Sequence, residues 1–410
     1  MYESKRKAFG GVPPQDVQHE CFHPVQTAKP CQILRGVVCH LRALVVDLAH
    51  LRANIAAVRE RVAVPIMGVC KANGYGTGLE EFGKNLLACG VESLAVATIE
   101  DAQRLRDAGI LADILMLSST ALPDEAERIV QLRLVGCIGS LNSISALDSA
   151  AARSNEQLRV HLKLDTGFGR YGFCEGEEEQ AAHALRSAKN LAVEGVFSHL
   201  SRSFSTAPTT EEQLNRFLRM VSRFEAHGCK PSILHIANSC AALLHPKTHL
   251  DTVRIGSAFV GRLPVSAQIH LEPVGKLVCD VAELHTLPTG HNVGYGNVYT
   301  TKREITTAIL TAGTADGLGR AKSRDAHRLI DRIRTVWQGV KGLFRDDTLY
   351  CTVGGARAAT LGRIGATSTV IDVTDLGVAL GDTAEFSVNP LFVDSAVPRI
   401  YINTATAQCV

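Results

Sequence analysis

No apolar run in the sequence approaches the roughly 20 residues that a membrane-spanning helix requires, and the N-terminus lacks a signal-type apolar core. Neither sign of charge dominates: 43 lysines and arginines face 41 aspartates and glutamates, with no basic stripe and no polybasic tail. That balance disfavours nucleic acid and anionic membranes as partners and leaves a small neutral or zwitterionic substrate. There is no C-x-x-C pair, and the twelve cysteines, scattered from Cys21 to Cys409, form no Cys/His cluster at zinc-ligand spacing. They read as reduced, mostly buried thiols, with no metal site, and the protein is expected to be soluble and cytoplasmic. Internal repeats and low-complexity segments are also missing. Residues 1–41 carry no hydrophobic periodicity and read as a poorly ordered extension.

At 410 residues the chain exceeds what one core usually serves, so two domains are expected. A helix is expected over 47–61, with Asp47 as its N-cap. Eight short apolar runs follow, at 64–71, 92–98, 112–118, 134–139, 158–164, 192–199, 232–238 and 251–256, and amphipathic segments separate most of them. Such alternation predicts an α/β fold of the (β/α)8 TIM-barrel type over 42–268, with a doubly wound open sheet as the alternative. The helix between the last two runs is the weakest. From 269 to 410 the pattern changes to strands at 278–285, 305–311, 348–353, 359–373 and 382–386, a mainly β domain interrupted by a helix over 325–339 that carries Trp337.

A barrel places its chemistry at the carboxyl ends of its strands. The first run delivers Lys71 to such an end, followed by the glycine-rich Ala72-Asn73-Gly74-Tyr75-Gly76-Thr77-Gly78. A lysine partly desolvated there loses basicity and becomes a nucleophilic amine able to form a Schiff base. The same segment also fits a surface lysine that snorkels before a turn. Strand alternation points the side chain of neighbouring Cys70 the other way.

Seven motifs, in order, make the chain from about residue 42 resemble the alanine racemase family of fold-type III pyridoxal phosphate enzymes. They begin with Lys71-Ala72-Asn73-Gly74-Tyr75-Gly76 and continue with Lys163-Leu164-Asp165-Thr166-Gly167-Phe168-Gly169-Arg170, Ser198-His199, Ala237-Asn238-Ser239 and Val253-Arg254-Ile255-Gly256. Val293-Gly294-Tyr295-Gly296 and Ala315-Asp316-Gly317 complete the series. The resemblance implies pyridoxal 5'-phosphate as cofactor, Lys71 as the residue that holds it and as base on one face of the substrate, and Tyr295 as base on the other. It further implies a head-to-tail homodimer in which each site borrows Tyr295 from its partner. Arg254 would face the pyridine nitrogen with a donor that keeps its proton; alone, it reads as a strand-end arginine in a salt bridge. Phosphate anchoring falls to Tyr75, Ser239, Gly256 and Ser257, with Asn238 partly structural. His199 is either a core histidine or packs on the cofactor ring. Arg170, Ala366 and Thr367 are assigned to the substrate, and Lys163 matches a position that is carbamylated in many relatives.

Departures from the family concentrate on the substrate side. Thr314 and Ser395 stand where tyrosines are usual, and Ala366-Thr367 replaces a Met-Asp pair. Each removes bulk or a ring, and a roomier pocket is expected. The resemblance therefore implies racemization of alanine or a related small amino acid, with serine or a larger amino acid as the alternative. A fold-type III decarboxylase shares this domain plan, but its glycine triplet and His-Gly-Ser motif are absent. A catalytically silent pyridoxal phosphate-binding relative has no reason to keep Tyr295.

Overall fold

Asp47 closes one strand and opens a helix. The strand, β1 (Arg42–Asp47), runs into α1 (Leu48–Arg59), and the Asp47 carboxylate accepts the N–H groups of Ala49 and His50 at 2.9 and 3.4 Å. Two orphan donors of the helix are thereby satisfied. The computed structural model describes residues 41–204, 207–263, 268–320, 333, 336, 337, 340 and 348–404.

All eight expected strands follow: β2 (Ile66–Val69), β3 (Ser93–Val96), β4 (Ile114–Met116), β5 (Gly136–Ile138), β6 (Leu158–Lys163), β7 (Leu191–Phe197), β8 (Ile233–His235) and β9 (Val253–Ile255). Between them lie α2 (Ala72–Tyr75), α3 (Leu79–Ala88), α4 (Ile99–Asp107), α5 (Pro123–Gln131), α6 (Leu141–Arg153), α7 (Glu178–Ser187), α8 (Ala207–Ala226) and α9 (Ser239–Leu244). The strands pair in parallel as two arcs, ordered β4-β3-β2-β9 and β5-β6-β7-β8. A single bridge, Leu115 to Val135, joins the arcs at one junction. At the other, the N–H groups of Asp251 and Arg254 donate to the carbonyls of Leu234 and Ala237, each at 3.1 Å.

Side-chain alternation divides this region into two layers. Ile66, Cys70, Leu94 and Val96 belong to the large core that the helices cover. Met67, Val69, Ala95, Leu115 and Val135 form a small cluster on the opposite face. Lys71 continues the Met67 and Val69 series, so the period that buries Cys70 among the helices turns Lys71 the other way.

The second region is mainly β. Its strands are β10 (Gly275–Leu287), β11 (Asn292–Val293), β12 (Tyr299–Thr300), β13 (Ile305–Leu310), β14 (Tyr350–Val353), β15 (Ala356–Leu361), β16 (Thr369–Asp372), β17 (Thr383–Ser387) and β18 (Arg399–Ile402). Six of them close a circuit of pairings, β10-β13-β16-β15-β14-β17 and back to β10. β1 joins from outside, antiparallel to β10 and parallel to β18. The run expected as one strand over 359–373 is two, because Gly362 turns at φ +65° where a Cβ would lie 2.4 Å from the Val293 carbonyl oxygen. The helix expected over 325–339 lies mostly outside the described residues; Ile333, Val336 and Trp337 are helical and exposed. Among the described residues no helix is long and apolar enough to cross a membrane, and no three potential metal ligands cluster.

Candidate active site

Strand ends and the loops after them line a cavity of about 680 Å³. Among the described residues five cationic side chains reach it, those of Lys71, Lys163, Arg170, Arg254 and Arg262, and no aspartate or glutamate does. An unbalanced positive wall in a partly desolvated space selects an anionic ligand.

Lys71 lies two residues past the end of β2, in extended conformation at φ −143° and ψ 163°. Its side chain is open to the cavity, yet desolvation, and then the charges of Arg170 and Arg254, hold its amine below the ordinary lysine pKa. The neutral, nucleophilic form is correspondingly more populated. Cys70 is fully buried and burial pushes its thiol up, which removes it as a nucleophile.

The turn after Lys71 brings Tyr75 to the cavity wall, its ring centre 6.0 Å from Lys71 Nζ. An added Cβ on Gly256 would lie 2.2 Å from the Tyr75 hydroxyl oxygen, so the glycine permits that approach. The Gly256 N–H donates to the Ser239 hydroxyl at 3.1 Å, and Ser257 lines the same wall. Tyr75, Ser239, Gly256 and Ser257 therefore share one wall of the cavity. Asn238 is occupied otherwise: its side-chain oxygen caps α9 by accepting the Ala241 N–H at 3.1 Å and also accepts the Ser203 hydroxyl at 2.9 Å. It holds the loop and leaves its amide nitrogen for other work.

Arg254 is buried and, among the described residues, has no carboxylate partner, contrary to the salt-bridge reading. Its guanidinium donates to the Ser198 carbonyl at 2.6 Å, to the Ile236 carbonyl at 3.3 Å and to His235 Nδ1 at 2.8 Å. Because arginine only donates, His235 Nδ1 accepts, so Nε2 carries the proton and donates to His161 Nδ1 at 2.8 Å. His161 Nε2 then faces a Glu194 carboxylate oxygen at 3.8 Å. Burial holds His235 well below the ordinary histidine pKa, with Arg254 adding to it. Sequence reasoning missed this chain from Arg254 to the protein surface. The signal was available: His161 precedes Lys163 by two on β6, and His235 ends β8 three residues before Asn238, so both sit close to residues already assigned to the site.

His199 lines the cavity with its ring edge-on to Phe168 at 4.9 Å, and desolvation, then Arg254 and Lys163, keep it neutral. Arg170 is exposed, its guanidinium 4.6 Å from the Phe168 ring centre. The loop that carries it is folded around Asp165, whose carboxylate accepts the N–H groups of Gly167, Phe168, Gly169 and Arg170. Desolvation raises that carboxyl's pKa, but the four donors outweigh it and the net shift is downward. Lys163 is buried, with Nζ 4.2 Å from the Phe197 ring centre. Burial, then Arg254, draws its amine down to about 7.

Tyr295 does not reach this cavity in its own chain. It is 75% exposed, at the start of a turn after β11. Ala366 and Thr367 are also exposed, on the loop between β15 and β16. The N–H groups of Thr314 and Ala315 donate to the carbonyls of Gly365 and Ala366 at 2.9 Å, and Gly362 packs against Val293. Tyr295, Thr314, Ala366 and Thr367 thus occupy adjoining loops of the second region, while Lys71 and the other cations line the first. Ser395 is exposed on the turn before β18.

The profile of the alanine racemase N-terminal domain matches residues 46–264, and that of the C-terminal domain matches 274–390. The chain is 35% identical over 368 residues to the alanine racemase of Symbiobacterium thermophilum, covering 87% of this chain and 96% of that one. Solved alanine racemase structures from Streptomyces coelicolor and from a D-cycloserine-producing Streptomyces lavendulae are similar at TM-scores of 0.76 and 0.75, with 29% and 28% identity. Each similarity covers 88% of this chain, and 98% and 97% of those structures. By sequence and by fold, the chain belongs to the alanine racemase family.

Proposed function

We propose that the protein is a pyridoxal 5'-phosphate-dependent racemase that interconverts L- and D-alanine, or a related small amino acid, by two-base proton transfer at Cα. The observation that carries this is a cavity whose described lining holds no carboxylate and sets a depressed lysine amine among four other cations, in a chain of this family. The residues present fit the cofactor: Tyr75, Ser239, Gly256 and Ser257 would take its phosphate, Lys71 would hold it covalently, and His199 would flank its ring. When bound, the cofactor supplies the electron sink that makes the substrate Cα–H acidic. Lys71, with its neutral form favoured, takes or returns that proton on one face. Arg254 presents a donor that keeps its own proton, which limits the charge delivered to the ring nitrogen and disfavours transamination.

The second base is Tyr295, supplied by the partner in a head-to-tail homodimer. Its exposure, 75%, and its absence from the lining of the Lys71 cavity support a site completed by a second copy, with Arg170, Ala366 and Thr367 toward the substrate. The two parallel arcs are read as one (β/α)8 barrel closed at the Leu115–Val135 bridge and at the β8–β9 contacts. On this reading the barrel spans 42–268 and the β domain 269–410, with β1 lent to the later sheet. Incubation with cofactor and a panel of L-amino acids, followed by chiral chromatography, tests the activity. D-Alanine or another D-enantiomer should accumulate, and absence of any D-product from a cofactor-loaded protein refutes it.

A further inference from the structure

Of the five cations around the cavity, the roles above leave Arg262 unused. Its backbone N–H donates to the Ser257 carbonyl at 3.0 Å, so a tight turn returns the chain toward the wall formed by Tyr75, Ser239, Gly256 and Ser257. The half-buried side chain lines the same cavity. Its Nη2 donates to the Val388 carbonyl, whereas its Nε is enclosed without a hydrogen-bond partner. Among the described residues no carboxylate lies within ion-pair distance of it. Arg254 differs, since carbonyls and His235 surround its guanidinium.

A partly desolvated guanidinium with one carbonyl partner retains most of its charge and most of its donors. Burial lowers its pKa, but arginine stays protonated, so this side of the cavity favours an anionic group. The neutral hydroxyls and amides of the neighbouring wall can orient a phosphate but cannot neutralise a dianion. We propose that Arg262 is the cationic contact for the cofactor's phosphate, fixing it as a dianion by a charge-assisted hydrogen bond.

This rests on the cofactor reading above, and the test separates the two. Apoprotein of the full chain is titrated with pyridoxal 5'-phosphate and with pyridoxal, which lacks the phosphate, for wild type, Arg262→Gln and Arg262→Lys. Loss of a charge-assisted bond should weaken pyridoxal 5'-phosphate binding about 10- to 100-fold in Arg262→Gln and leave pyridoxal binding unchanged. Arg262→Lys should recover much of the difference. In the ³¹P spectrum of the bound cofactor, the phosphate should remain dianionic to lower pH in wild type than in Arg262→Gln. Equal weakening of both ligands, or unchanged phosphate ester affinity, overturns the proposal. A wild type that binds pyridoxal 5'-phosphate, with borohydride fixing the label to a Lys71 peptide, keeps the cofactor reading whatever the variants do. A wild type that binds neither ligand overturns both.

Discussion

Lys163→Met should stabilise the apoprotein near neutral pH. The buried amine has fallen from an ordinary 10.5 to about 7, chiefly by desolvation. At 1.36 kcal/mol per tenfold, that drop corresponds to about 5 kcal/mol of penalty on the charged form. Relaxation and water penetration reduce such ceilings, so a gain of about 2 to 4 kcal/mol is expected for the variant. The sign follows from linkage. With the folded pKa below the unfolded one, the penalty is complete below pH 7 and is relieved as pH rises from 7 to 10.5, where only the unfolded chain still holds the proton. The difference between variant and wild type, read from urea melts in CO2-free buffer, should therefore shrink from pH 6.5 to pH 9.5. Bicarbonate adds a second reading. A neutral Lys163 amine can add CO2 and release a proton to form an anionic carbamate beside Arg254 and Arg170, so bicarbonate should stabilise wild type and leave Lys163→Met unmoved. A variant that is less stable at every pH, or a difference that does not change with pH, refutes the reasoning.

Mixing inactive Lys71→Ala with inactive Tyr295→Phe should restore part of the activity once subunits exchange, because one of the two sites in a heterodimer is intact; no recovery despite demonstrated exchange places both groups in one chain or removes Tyr295 as base. Gly256→Ala sets a Cβ 2.2 Å from the Tyr75 hydroxyl and must displace the ring, at about 1 to 3 kcal/mol; cofactor affinity should fall about tenfold or more, and unchanged affinity would separate Tyr75 from the phosphate. Ser395→Tyr should narrow the substrate range by about 1 to 3 kcal/mol in relative specificity at saturating cofactor. A wild type that acts on alanine alone, with serine and longer amino acids inert, shows instead that the missing rings at 314 and 395 do not widen the pocket.

Local signals made much of the first region legible. Each of the eight apolar runs became a strand, and Asp47 capped its helix, because fully buried parallel strands leave continuous hydrophobic runs that the sequence cannot conceal. The same alternation correctly turned Cys70 away from Lys71. What the sequence withheld depends on contacts far along the chain. β1 is six residues with no neighbour of its own, and its strand character is fixed by Cys279 and Ile400, which it meets only in the folded sheet. The division of 359–373 depended on the backbone around Val293. His161 and His235 read as ordinary strand residues because their link to Arg254 joins three strands, and Arg262 carried no motif at all.

The position of β1 sets a schedule for synthesis. Leu44 pairs across to Leu277 on one side and to Arg399 on the other. A ribosome adding about 5 to 20 residues per second releases the first partner roughly 6 to 24 seconds before the second. During that interval one edge of β1 is paired and the other, destined for β18, is an open template for another chain. β1 is covered on both edges only once β18 has left the ribosome, so a transcript truncated before residue 399 yields a chain whose β1 has an unguarded parallel edge. Losing the four residues of β18 is thus felt more than 350 positions earlier, at β1.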